Sequence, residues 1–135
     1  MNIPYNDLSR IHEPLKNSFY TALDQVLQTS AFVGDKQFAE DFRIYTGSNH
    51  CVTCNSGTDA LYIAIKSLEL TPGSRIAVPA VSYAATAMAV VNAGHIPVFI
   101  DVDSETGLML TDKVKDVDCV IPVHLYGQCV DMKEL

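Results

Sequence analysis

The sequence predicts an α/β fold, a mostly parallel sheet with helices flanking it. Three observations predict it. After Gly47, short runs rich in Val, Ile and Cys alternate with longer runs of helical periodicity. Turn residues separate them, notably Pro72-Gly73 and Gly94. The composition, 48% hydrophobic and 19% charged over 135 residues, suits a chain with a packed core.

The elements follow in order. From Pro14, apolar residues Leu15, Phe19, Ala22, Leu23, Val26 and Leu27 recur at helical spacing. Pro14 suits a first turn, where its missing N–H costs nothing. A second helix is expected over about 35–45, with Phe38, Phe42 and Tyr45 on one face and Gly47 as its stop. Residues 51–55 read as a short strand and 58–70 as a helix closed by Pro72-Gly73. A strand over 75–79, a small-residue helix over 83–93 and a strand over 97–102 follow. The last strand is expected over 118–122. This divides the chain into a helical segment, 1–47, and an α/β region, 48–135. In parallel sheets, ligands bind beyond the carboxyl ends of the strands. The 55–59 turn, the 80–83 turn and the 123–128 loop should therefore share one edge. "VHLYGQCVDMKEL" reads as the beginning of another helix, with Asp131, Met132 and Leu135 lacking a later element to pack on. A fragment of a larger fold is expected.

Charge and hydropathy exclude several classes. Nine basic residues face sixteen acidic ones, a net charge of −7, with no run of Lys or Arg. Nucleic acids and anionic membrane surfaces need clustered cations, so neither is an expected partner. The N-terminus has no basic flank followed by an apolar stretch, so no signal peptide is read there. Residues 76–100 lack charge, but Pro79, Asn92, Gly94, His95 and Pro97 interrupt them. A membrane span needs about 20 unbroken helical residues. The expected location is the cytoplasm, which also fits four cysteines without framework spacing.

Within "CVTCNSGTDALYIAI" two chemistries compete. If 51–55 is a strand, Cys51 and Cys54 point to opposite faces and cannot converge on one metal. They read as small packing residues. Asn55-Ser56-Gly57-Thr58-Asp59 instead joins a strand to a helix. The first helical N–H groups and the helix dipole make an anion site there. Ser56 and Thr58 add hydroxyl donors, and Asp59 must turn away toward backbone N–H groups of the first turn. Taken alone, the turn is equally an ordinary helix cap. No Walker loop and no G-x-G-x-x-G fingerprint occurs.

Tyr83, at the next helix start, could stack on a flat ring or belong to a core or an interface. Asp101, Asp103, Glu105 and Asp112 imitate a calcium loop, but its glycine falls at position 7 instead of 6 and a strand precedes it. A solvated loop is expected. His124 follows a strand and is a weaker candidate for the ligand edge. His12, His50 and His95 have no ligand spacing, and no metal site is expected.

Five blocks occur in a familiar order: "IPYNDLSR", "FVGDKQFAEDFRIYTG", "NSGTDALYIAIKSL", "PGSRIAVPAVSYAATAMAVVNAGHIPVFIDVD" and "VIPVHLYGQCVDM". They resemble the DegT/DnrJ/EryC1/StrS family of pyridoxal-phosphate-dependent sugar aminotransferases, over essentially the whole chain. The resemblance implies the N-terminal part of the large domain of aspartate aminotransferase fold type I. It implies pyridoxal 5′-phosphate as cofactor, its phosphate on Ser56, Gly57 and Thr58 and its ring under Tyr83. It also implies a nucleotide-linked keto-deoxysugar substrate, glutamate as amino donor and a homodimer.

The family's acid for the pyridinium nitrogen lies in an E-D-A-A/S-Q block and its Schiff-base lysine in an S-x-x-K context. Neither block occurs here. Lys16, Lys36, Lys66, Lys113, Lys115 and Lys133 stand in other contexts, so no catalytic residue is assigned. The resemblance thus implies a portion inactive by itself. Two alternatives accompany it. One is a non-catalytic remnant or partner module of the same fold. The other is part of a sugar dehydratase, in which family relatives carry histidine in place of the lysine.

Overall fold

The computed structural model describes residues 4–34 and 36–135. They fall into two compact units, Met1–Val52 and Thr53–Leu135.

The first unit is helical. Helix α1 spans Ser9–Thr29. Asp7 accepts from the Ser9 amide at 3.2 Å and from the Ser9 hydroxyl, which starts the helix ahead of Pro14. Pro14 therefore lies inside α1 and not in its first turn. The expectation from proline's usual place is corrected by this earlier start at Ser9; the cost is one missing bond to the Arg10 carbonyl. Ser30, in left-handed conformation, ends the helix. Helix α2 spans Lys36–Thr46. Residue 35, expected to open it, lies outside the described residues. Phe38, Phe42 and Tyr45 do share a face, with ring centroids 5.8 and 6.3 Å apart along the row. Gly47, at φ +69°, stops the helix. Its N–H donates to Ile44, and the next N–H donates to Arg43, the paired bonds of a Schellman motif.

The second unit is α/β. Helix α3 spans Gly57–Ser67, strand β1 Arg75–Pro79, helix α4 Ala85–Asn92, strand β2 Ile96–Ile100 and strand β3 Cys119–Val120. Short 3-10 turns cover Thr111–Lys113 and Leu125–Gly127. The sheet order is β2-β1-β3, and both pairings are parallel. Alternation along β1 divides the core. Ile76 and Val78 pack with Ile65 of α3 and Ala89, Val90 and Ala93 of α4 and its cap. Ala77 faces the other way, toward Ile100 and Met109. All three β1 residues have 0% exposure. Burying Ile76 and Val78 stabilises the unit by about 1.5–3 kcal/mol each.

Three sequence expectations are corrected. No strand forms over 51–55, because none of the three described strands pairs with it. The face-alternation argument for Cys51 and Cys54 loses that premise; both are free thiols, Cys51 half-buried and Cys54 exposed. Strand β3 is shorter than expected, with the Asp118 and Ile121 amides continuing the ladder to Arg75 and Ala77 at 2.8 Å each. No helix forms after Val130; Asp131 accepts from the Lys133 amide at 2.9 Å in a turn.

The calcium-like segment is a compact loop. An antiparallel bridge joins Val102 to Met109. Asp103 Oδ1 accepts from the Glu105 amide at 3.1 Å, the Thr106 amide at 2.8 Å and the Thr106 hydroxyl at 2.9 Å. Among the described residues no cluster of three metal-ligating side chains forms, and no helix is long and apolar enough to cross a membrane.

The three hydrogen bonds, those from Thr106 foremost, hold the Asp103 carboxyl below its ordinary value of 3.8. A lowered folded pKa stabilises above the unfolded value and loses that contribution as pH falls through the folded one. Asp103→Ala should thus lower Tm near about pH 7, and the gap to wild type should narrow as pH falls below the ordinary carboxylate range and the Asp103 carboxylate takes up its proton. Thermal melts across that range check it; a gap that persists in acid contradicts it.

Candidate functional site

The sheet topology locates the site. From β1 the chain crosses to β2 on one side, then returns past β1 to β3 on the other. The segments leaving the carboxyl ends of β1 and β3 diverge there, which opens a crevice. A cavity of about 550 Å³ occupies it. Gly57 and Thr58 line it from the start of α3, Ser82 and Tyr83 from the turn after β1, and Pro122 and His124 from the loop after β3. The three loops expected at one edge do meet there.

The start of α3 has two roles on different groups. Ser56 is the cap, extended at φ −155° and ψ 157°. Its hydroxyl accepts from the Asp59 amide at 3.1 Å and donates to Asp59 Oδ2 at 2.7 Å. Asp59 thus turns away as expected, but its partner is the Ser56 hydroxyl and not a backbone N–H. The Ala60 amide bonds the Ser56 carbonyl at 3.0 Å. No acceptor among the described residues takes the Gly57 and Thr58 N–H groups. Ser56 does not line the cavity; Gly57 and Thr58 do. Two residues with open N–H groups at a helix start therefore line the cavity, and the neighbouring carboxylate of Asp59 is tied into the cap.

The walls supply the rest. Tyr83 is 81% exposed, an aromatic ring without a place in the core. Leu61, Ala85, Ile121 and Val123 give an apolar lining. Ser82 and buried Thr86 share a hydrogen bond of 2.9 Å between their hydroxyls, on the same cavity. Sequence reading missed this pair; the four-residue spacing at a helix start was the available signal. His124 lines the cavity, and its Nδ1 accepts from the Val130 amide at 3.1 Å. His95 is buried in the core instead. Among the described residues no lysine or carboxylate lines the cavity.

Fold and cavity define an open parallel α/β domain with an anion-ready crevice at its switch point. A family model for the DegT/DnrJ/EryC1/StrS aminotransferase family matches residues 14–135, and the chain belongs to that family. Over its whole length it is 36% identical to the pleiotropic regulatory protein of Geobacillus stearothermophilus, covering 38% of that protein. Over 96% of its length it is 37% identical to the UDP-N-acetyl-3-dehydro-alpha-D-glucosamine 3-aminotransferase of Acidithiobacillus ferrooxidans, covering 37% of it. The structure of NtdA from Bacillus subtilis, with bound cofactor PMP, matches 98% of this chain at a TM-score of 0.88 and 29% identity, with 33% of that chain covered. The Escherichia coli GDP-4-keto-6-deoxy-D-mannose-3-dehydratase with bound hydrated PLP also matches 98%, at 0.77 and 26% identity, with 35% covered. The chain spans less than two fifths of the curated relatives' lengths.

The cap assignment predicts a stability effect. Ser56→Ala should destabilise the protein by about 1 kcal/mol through loss of the cap. Urea unfolding measures it; an unchanged midpoint means the Ser56–Asp59 pair does not hold the helix start.

Proposed function

We propose that this chain forms the phosphate-binding half of the cofactor pocket in a cytoplasmic, pyridoxal-phosphate-dependent aminotransferase acting on nucleotide-linked keto-deoxysugars. The observation that carries the reading is that Gly57 and Thr58, whose N–H groups have no acceptor among the described residues, line a cavity that Tyr83 also lines. The cavity fits the group. Its volume, about 550 Å³, lies in the range of cofactor-sized sites. The helix start offers donors to a dianion, and Asp59 is held away by Ser56.

In this reading Gly57 and Thr58 bind the phosphate through their N–H groups and the Thr58 hydroxyl. Ser56 supports them by fixing the helix start. Tyr83 stacks on the pyridine ring. Leu61, Ile121, Pro122 and Val123 exclude water from the ring's surroundings. Pyridoxal phosphate, when bound, supplies the electron sink for amino-group transfer. The covalent tether and the acid for the ring nitrogen come from outside these residues, since among the described residues no lysine or carboxylate lines the cavity. The 135 residues alone are therefore inactive. Residues 48–135 are part of the large domain, and 1–47 is a helical segment preceding it. Glutamate is the amino donor, and the working protein is a homodimer.

The likeness to the Escherichia coli dehydratase supports a second reading, a dehydratase built on the same half-pocket. Glutamate-dependent amino transfer to the sugar, against loss of a sugar hydroxyl, separates the two.

Thr58→Ala in the full-length protein should weaken pyridoxal phosphate binding by roughly tenfold, as loss of a hydrogen bond to a charged group does. Cys54→Ala should leave it near wild type. Equal dissociation constants for the two variants contradict the phosphate assignment.

A further inference from the structure

The loop after β3 carries a contact that the proposed reaction leaves unexplained. His124 precedes a 3-10 turn whose Tyr126 and Gly127 both have left-handed backbone, at φ +56° and +77°. For Tyr126 that conformation is costly, so the surroundings must impose it. Three contacts do so. The Val130 amide donates to His124 Nδ1 at 3.1 Å, closing the 124–130 loop. Val130 itself is buried at 4% exposure. Gln128 Nε2 donates to the Thr106 carbonyl at 3.1 Å, tying the loop to the Asp103 turn. Leu125, on that loop, packs near Gly107 and also lines the cavity.

The imidazole is thus a clamp. A backbone N–H can only donate, so Nδ1 must be the unprotonated acceptor and Nε2 carries the hydrogen. We propose that His124 is a positioning residue. Through its Nδ1 bond to the Val130 amide it locks the 124–130 loop as a fixed wall of the cofactor cavity. The loop in turn sets Leu125 and Pro122 against the bound group. The proposal rests on the cofactor reading above for its functional consequence, but its structural half stands without it.

Two substitutions divide the possibilities. The Oδ1 of Asn sits close to the place of Nδ1, so His124→Asn keeps the acceptor and discards Nε2. His124→Leu discards both. Hydrogen exchange of the Val130 amide and pyridoxal phosphate binding are measured on the full-length protein for each. The amide should stay protected in wild type and in His124→Asn, and should exchange about tenfold faster in His124→Leu, as loss of a hydrogen bond allows. Pyridoxal phosphate affinity should follow the same order, near wild type for Asn and weaker for Leu. If Asn and Leu weaken binding equally while Asn keeps the amide protected, His124 acts through Nε2 on the ligand and the clamp proposal is overturned. Unchanged exchange in His124→Leu also overturns it. Absence of binding by wild type defeats the cofactor reading alone, leaving the exchange result to judge the clamp. Should His124→Leu fail to fold, imidazole nitrogen shifts of the wild type decide: an Nε2–H tautomer supports the clamp, and an Nδ1–H tautomer removes it.

Discussion

Strand β1 pairs on both sides and is buried on both faces, and the site depends on that constraint. Ile76, Ala77 and Val78 are fully enclosed, so the strand has no freedom to shift or tilt. A register slip of one residue would exchange Ala77 for its larger neighbours on each face. Everything that leaves its carboxyl end is therefore fixed in place. The turn through Ser82 and Tyr83 starts from a rigid point, and so does the loop from β3, which is hydrogen-bonded to Ala77. Helix α3 packs on α4, which packs in turn on the sheet, bringing Gly57 and Thr58 to the same edge.

The electrostatics of that edge are built from few parts. The chain is acidic overall, with net charge −7, yet no carboxylate of the described residues lines the cavity. Asp59 follows Thr58, whose N–H is open, and a free carboxylate there would repel an anion at the helix start. Its exchange of hydrogen bonds with Ser56 solves this and caps the helix together. The same polar side chains thus serve stability and leave the next two N–H groups open. Ser56, with its hydroxyl engaged by Asp59, stands outside the lining that Gly57 and Thr58 share.

Much of this was legible in the sequence. The short apolar and helical runs placed β1 at 75–79 and helices α3 and α4 near their observed bounds, because glycine or proline turns separate them. The order of strands and helices gave the parallel sheet, and the sheet gave the ligand edge. Three features were not legible. Residues 51–55 look like a strand by composition, but a strand exists only with a neighbour to bond, which local sequence does not reveal. Pro14 was placed by the usual preference for a first turn, whereas the Asp7–Ser9 contact moved the helix start ahead of it. The acceptor role of His124 depends on a backbone amide six residues away, held by a turn with left-handed residues that no periodicity signals.

The central claim is that the start of α3 is a phosphate site and the Tyr83 turn is its ring platform. A crystal structure of the full-length protein with pyridoxal phosphate tests it most directly. The account predicts phosphate oxygens within hydrogen-bonding distance, about 2.7–3.2 Å, of the Gly57 and Thr58 N–H groups, with the ring against Tyr83. A phosphate bound elsewhere, with those two N–H groups facing water, would contradict it.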